Sequence, residues 1–182
     1  ASGLLHGIGN PSATINLVRK KPTREFAGQA GLSANSWDGY RGELDLGGPL
    51  TEDGQVRGRF VTAYQQGESF LDHYENEKQV FYGVIEADLS EDTMITLGVD
   101  SMDYDPEGST WGGVPLFYSD GGIADLDRDT NPATDWSSWA QEARTAFVNL
   151  EHQFSSGWYG KLAYTYQENN YDAQLASAGG GT

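Results

Sequence analysis

The chain has 182 residues, no cysteine, 27 acidic against 11 basic side chains, and a formal net charge of −16. The missing cysteine removes disulfide staples, thiol nucleophiles and Cys-zinc sites together, and the acidity argues against nucleic acid as a partner, since no basic stripe exists to neutralise phosphates. A negative mean hydropathy, with no apolar run near ~18 residues, excludes a membrane-spanning helix.

Residues 1–24 hold Arg19, Lys20, Lys21 and Arg24 and no acid. Residues 61–182 hold four bases and 21 acids. A change of sign like this marks a boundary, and Pro22 would end a strand or helix there. Two segments are therefore expected, 1–24 and 25–182.

From Phe26 onward the pattern has period two. Alternation is weak over 26–34. Over 40–46, Tyr40, Leu44 and Leu46 oppose Arg41, Glu43 and Asp45. Over 56–65, Val56, Phe60 and Tyr64 oppose Arg57, Arg59, Ala63 and Gln65. Over 79–89, Phe81, Ile85, Ala87 and Leu89 oppose Tyr82, Glu86 and Asp88. Over 93–104, Ile95, Leu97 and Val99 oppose Thr96, Gly98 and Asp100. Stretches 143–154 and 158–168 repeat the pattern, with Ala146, Val148 and Leu150 in the first and Trp158, Leu162, Tyr164 and Tyr166 in the second. Successive side chains of a strand point to opposite faces, so this predicts seven half-buried strands.

Ordinary strands run ~5–6 residues, whereas a tilted membrane strand needs roughly 9–11. Ser90-Glu-Asp92 and Ser155-Ser-Gly157 are tight turns, while the links 67–78 and 105–142 are long. Tight turns on one side and long loops on the other fit an outer-membrane barrel. The link 35–39 is short where a loop is expected, and 47–55 is long where a turn is expected. A soluble antiparallel sandwich shows the same alternation. Aromatics at strand ends (Tyr40, Trp158, Tyr164, Tyr166) favour two interfacial girdles instead.

The run Ser2-Gly-Leu-Leu-His-Gly-Ile-Gly-Asn-Pro-Ser-Ala-Thr-Ile-Asn-Leu-Val-Arg-Lys-Lys-Pro-Thr23 resembles the end of the plug domain of TonB-dependent siderophore receptors. Trp37-Asp-Gly-Tyr-Arg-Gly-Glu-Leu-Asp-Leu-Gly-Gly-Pro-Leu50 is similar to that family's first barrel hairpin. Asp53-Gly-Gln-Val-Arg-Gly-Arg59 and Trp111-Gly-Gly-Val-Pro115 are similar to its third strand and third long loop. The resemblance implies an all-β, antiparallel, partial transmembrane β-barrel, about seven strands of the 22-stranded plugged class. It implies that 1–24 closes a plug and that 25–182 opens a barrel. The chain would then be a piece of a longer receptor, with odd-numbered strands running outward and the long links extracellular.

Several residues are candidates for function. The resemblance places Leu5 and His6 near the plug apex, on the floor of a ligand pocket. A histidine there could donate a hydrogen bond to an anionic chelate. Trp111, Phe117, Tyr118, Trp136 and Trp139 crowd the link 105–142. Loop aromatics suggest a binding surface, because they bury much area at little entropic cost. They could equally pack among themselves to order a long loop. Asp125, Asp127 and Asp129 mimic the start of a calcium loop, but Thr130 and Trp136 stand where a glycine and a bidentate glutamate are needed. A solvated acidic loop is the better expectation. Arg19, Lys20 and Lys21 are expected to pair with wall acids such as Glu43 or Asp45.

No Gly-x-Ser-x-Gly elbow, His-Glu-x-x-His or thiol supports catalysis. The resemblance implies a Gram-negative outer-membrane importer, with ferric iron arriving as a siderophore chelate and no intrinsic cofactor. Its partners would be the TonB–ExbB–ExbD complex, engaged through a segment absent from this sequence, and outer-membrane lipid. Cobalamin, haem or an oligosaccharide as cargo, and a soluble β-sandwich that binds glycans, remain open at this point.

Overall fold

The computed structural model describes residues 18–176. It holds seven strands: β1 (Ala27–Ala34), β2 (Tyr40–Pro49), β3 (Val56–Glu68), β4 (Glu75–Ser90), β5 (Thr93–Glu107), β6 (Ser138–Gln153) and β7 (Tyr159–Gln174). They form one open sheet in sequence order, and every neighbouring pair is antiparallel. The all-β expectation and all seven strands are found.

The strands differ from expectation at one end. β4, β5, β6 and β7 continue past the alternating stretches on the side of the long links. There the outward positions are polar: Glu77 and Gln79, Asp103, Glu142 and Arg144, Glu168 and Asn170. With polar groups on both faces the hydropathic alternation vanishes, although backbone pairing goes on. The link between β3 and β4 accordingly shrinks to 69–74, and that between β5 and β6 to 108–137. The supposed long turn 47–55 shrinks too, because β2 runs on to Pro49. Gly54, at φ 68°, closes what is left, and the Thr51 hydroxyl donates to Asp53 at 2.6 Å.

Burial is inverted relative to a water-soluble sheet. On the charged face Arg57 and Glu86 are each 5% exposed. On the other face Ile85 is 47% and Leu97 49% exposed. Along β4, Glu75, Glu77, Gln79, Phe81 and Ile85 are exposed, and none of the even-numbered positions from Asn76 to Glu86 is. Outward positions are apolar, glycine or aromatic from Val56 to Tyr64, Phe81 to Leu89, Ala146 to Phe154 and Trp158 to Tyr166, save Thr62 and His152. Each such stretch is about nine residues, the tilted span of a hydrocarbon core. Phe60 and Phe81 meet edge to face on this surface, at 5.5 Å. A soluble sandwich would cover that face with a second sheet, and among the described residues nothing covers it. What is covered is the charged face, crossed by the segment 19–23.

The most buried charges on the inner face are paired. Arg57 forks onto Asp88 (2.6 and 3.0 Å) with Glu86 at 3.7 Å, and Arg59 forks onto Asp45 at 2.8 Å through both nitrogens. Bidentate guanidinium–carboxylate geometry is the arrangement that survives partial burial. In the intact protein in phospholipid vesicles, Leu97→Arg should lower unfolding free energy by ~2–4 kcal/mol, as for a charge near the bilayer midplane. Thr145→Arg, inward and beside Asp100 in the register, should change it by less than about 1 kcal/mol. Denaturant titration of the two variants checks the assignment of faces.

Candidate functional site

The charged face carries a second kind of surface where β3–β7 rise beyond the apolar band. Register places Gln65, Lys78, Tyr104, Gln141 and Tyr171 in one row across five strands. Lys78 Nζ lies 5.9 Å from the centre of the Tyr104 ring. The Tyr104 hydroxyl meets that of Tyr74, from the adjoining link, at 3.0 Å. Burial and this contact push Tyr74 up to about 12, so it stays a neutral phenol at any physiological pH. The row offers phenols, amides, aromatic faces and one ammonium group.

Next along the strand ends are two of the expected tryptophans. Trp111 and Trp139 stack with ring centres 5.4 Å apart and planes 28° apart. Trp139 is not a loop residue: it lies within β6, opposite Ala173 of β7. Trp136 and Tyr118 are exposed and stand outside that stack. Tyr118 sits at the tip of a small hairpin, where its N–H donates to the Gly122 carbonyl and Phe117 bridges Ile123. Leu5 and His6 lie outside the described residues.

Asp125, Asp127 and Asp129 do not form a cation cage. Among the described residues no group of three or more His, Asp or Glu side chains converges as a metal site would require. This stretch is structural at its backbone instead. The Asp127 carbonyl closes a turn with the Thr130 N–H at 3.1 Å, and the Asp129 carbonyl accepts from the Asp72 N–H at 2.8 Å. Asn131 completes the staple by donating to the carbonyls of Asp72 (2.7 Å) and Gly108 (2.9 Å). Arg128 lies over Phe70, and Phe70 meets Trp37 edge to face. Three links thus share one packed base.

Sequence reasoning missed Tyr74, Lys78, Tyr104 and Tyr171. A usable signal existed for Tyr104, an aromatic in phase with the polar positions Thr96 and Asp100 rather than with Leu97.

No family model matches the chain. It is 54% identical over 178 residues to the ferripyoverdine receptor of Pseudomonas aeruginosa, covering 97% of this chain and 22% of that protein. It is 42% identical to the ferric-pyoverdine BN7/BN8 receptor of Pseudomonas putida, covering 94% of this chain and 21% of that one. A crystal structure of the Pseudomonas aeruginosa ferripyoverdine receptor of the outer membrane, bound to ferripyoverdine, superposes with a TM-score of 0.89 at 55% identity, covering 96% of this chain and 23% of that one. The chain belongs to the TonB-dependent siderophore receptor family. It spans about a fifth of the length of the curated relatives it matches. The open sheet is therefore a sector of a receptor barrel, and its charged face is the lumen.

Gly108 decides the geometry of the loop base. Its φ is 63°, and a Cβ there would run into the His73 carbonyl. Gly108→Ala in the receptor should loosen the staple while leaving the barrel paired. Trypsin cleavage after the loop residue Arg128 should then quicken by about tenfold, read by mass spectrometry of the fragments.

Proposed function

We propose that the protein takes part in importing a ferric siderophore of the pyoverdine class across the outer membrane. The observation that carries this reading is the aromatic inner wall beyond the apolar band, headed by the Trp111–Trp139 stack, in a chain whose relatives are named for ferric pyoverdines. A ferric chelate is bulky and polar. Fixed indole and phenol faces, with amides between them, suit it because they bury area without losing rotamer freedom. Iron is cargo in this reading, wrapped by its chelator before it arrives.

Residues 1–24 are proposed to close a plug, with Leu5 and His6 on the floor of the ligand site. Ligand capture would bias the plug toward a state that the TonB–ExbB–ExbD complex can pull. The energy then comes from the inner-membrane proton gradient, and no bond of the ligand is made or broken. Transport, and not catalysis, is the activity proposed.

Uptake of radiolabelled ferric pyoverdines by cells that express the receptor tests the reading. Uptake that is lost on deletion of the receptor or on collapse of the proton gradient supports it; receptor-independent uptake sinks it. Within the site, Trp139→Ala and Trp111→Ala should each weaken ferric-pyoverdine binding by about tenfold, ~1.4 kcal/mol. Trp136→Ala, outside the stack, should cost less, and fluorescence quenching of the purified receptor measures all three.

A further inference from the structure

The segment that crosses the charged face is gripped by four strands within three residues. Arg19 places its guanidinium 4.2 Å above the ring of Phe147 in β6. Lys20 donates from Nζ to Asp45 in β2 at 2.6 Å, and its carbonyl accepts from the Tyr82 hydroxyl of β4 at 2.6 Å. The Lys21 carbonyl accepts from Arg59 Nη1 of β3 at 3.0 Å. Two of these bonds hold the main chain itself, so they fix its path and not only its side chains.

The wall is shaped for this occupant. Phe147 is a large aromatic ring on a face otherwise rich in charge, and it is 6% exposed. Its distal end reaches over Gly98 of β5, where any Cβ would overlap ring atoms. The absence of a side chain at Gly98 makes room for the ring, over which Arg19 sits in a cation–π contact. Asp45 is shared between Arg59 and Lys20, one carboxylate neutralising two cations. Further along, the Thr23 hydroxyl is buried without a hydrogen-bond partner and presses on Gly47, where a Cβ would lie 2.9 Å from it. A buried unpaired hydroxyl is tolerated where close packing of the backbone demands the approach.

We propose that Asp45, Arg59, Tyr82, Gly98 and Phe147 form a docking site for residues 19–23, and that this segment stays docked while the chain before it moves during import. The second half of this proposal rests on the import reading. The contacts come from four strands and share no single direction of weakness, so a pull on the preceding chain loads them together. The limit of plug movement then lies at Arg19, and the pull ends on the barrel wall before it reaches β1.

Residues 1–182 hold no native cysteine, and any cysteine elsewhere in the receptor is replaced by serine for the test. In the full receptor, Lys20→Cys with Asp45→Cys is joined by a short bifunctional methanethiosulfonate, and ferric-pyoverdine uptake is measured with and without the bridge. Uptake with the bridge within about twofold of that without it supports a stationary anchor; a bridged receptor that no longer imports, beside an unbridged one that does, overturns it. Docking is read separately, by trypsin cleavage after Arg19 in outer-membrane preparations open on the periplasmic side. Phe147→Ala should quicken that cleavage about fivefold or more. Lys20→Ala, on a mostly exposed side chain, should do the same and serves if the Phe147 variant fails to assemble. Unchanged cleavage in the variants overturns the docking. A wild-type receptor that protects Arg19 yet imports no ferric pyoverdine supports the docking and overturns only the import reading.

Discussion

Hydrocarbon on one side of each strand and water on the other is the constraint from which the rest of this structure follows. A bilayer core offers the backbone no hydrogen-bond partner, so every N–H and C=O within it must be met by a neighbouring strand. The seven strands meet that demand by pairing in sequence order, and an outward run of about nine residues suffices for the span. Phe60, Ile85 and Leu97 are exposed for this reason. The same residues would be a liability on a soluble sheet.

That constraint displaces the polar chemistry to the lumen, where it becomes specific. Arg57 and Arg59 sit two residues apart on one strand and each forks onto its own aspartate. Charges inside a barrel wall, short of bulk water, have to be paired in good geometry or not be there. Pairing leaves Asp45 with capacity for a further cation, and Lys20 takes it. The lumen wall thus works as a template for a basic strand of chain, which it meets with a carboxylate at Lys20 and an aromatic ring at Arg19.

Inside the apolar band the sequence was transparent, because Phe81, Ile85 and Leu89 cannot share a face with Glu86 and Asp88 unless that face is split between two solvents. Above the band it was opaque. Glu77 and Gln79 point outward and Lys78 inward, and nothing in their polarity separates the two directions. The strand ends were therefore taken for loop, and Trp139 with them. Tyr104 was hidden for a related reason: aromatics signal the outward girdle by default, and only its register with Lys78 and Gln141 sets it on the lumen side. In the acidic run 125–129 the side chains carry the sequence signal, while the contact that ties the run to the neighbouring link is made by the backbone, from the Asp72 N–H to the Asp129 carbonyl.

Placing Trp139 on a strand changes what the ligand surface can be. An indole held by β-sheet pairing has its position set before any ligand comes, so binding does not have to order it. Trp111 comes from the long loop, yet the base of that loop is stapled through Asn131 and Gly108 to the neighbouring link. The stack therefore joins a fixed ring to one carried by a loop whose base is fixed. The hairpin 116–124 extends from this base with Leu116, Phe117 and Ile123 exposed. In the proposed function the stack would supply preorganised area for a chelate, set on a stapled base beneath an exposed tip. Elsewhere in the lumen a side chain fixed by strand pairing plays the same part for residues 19–23: Arg59, held by Asp45, donates to the Lys21 carbonyl.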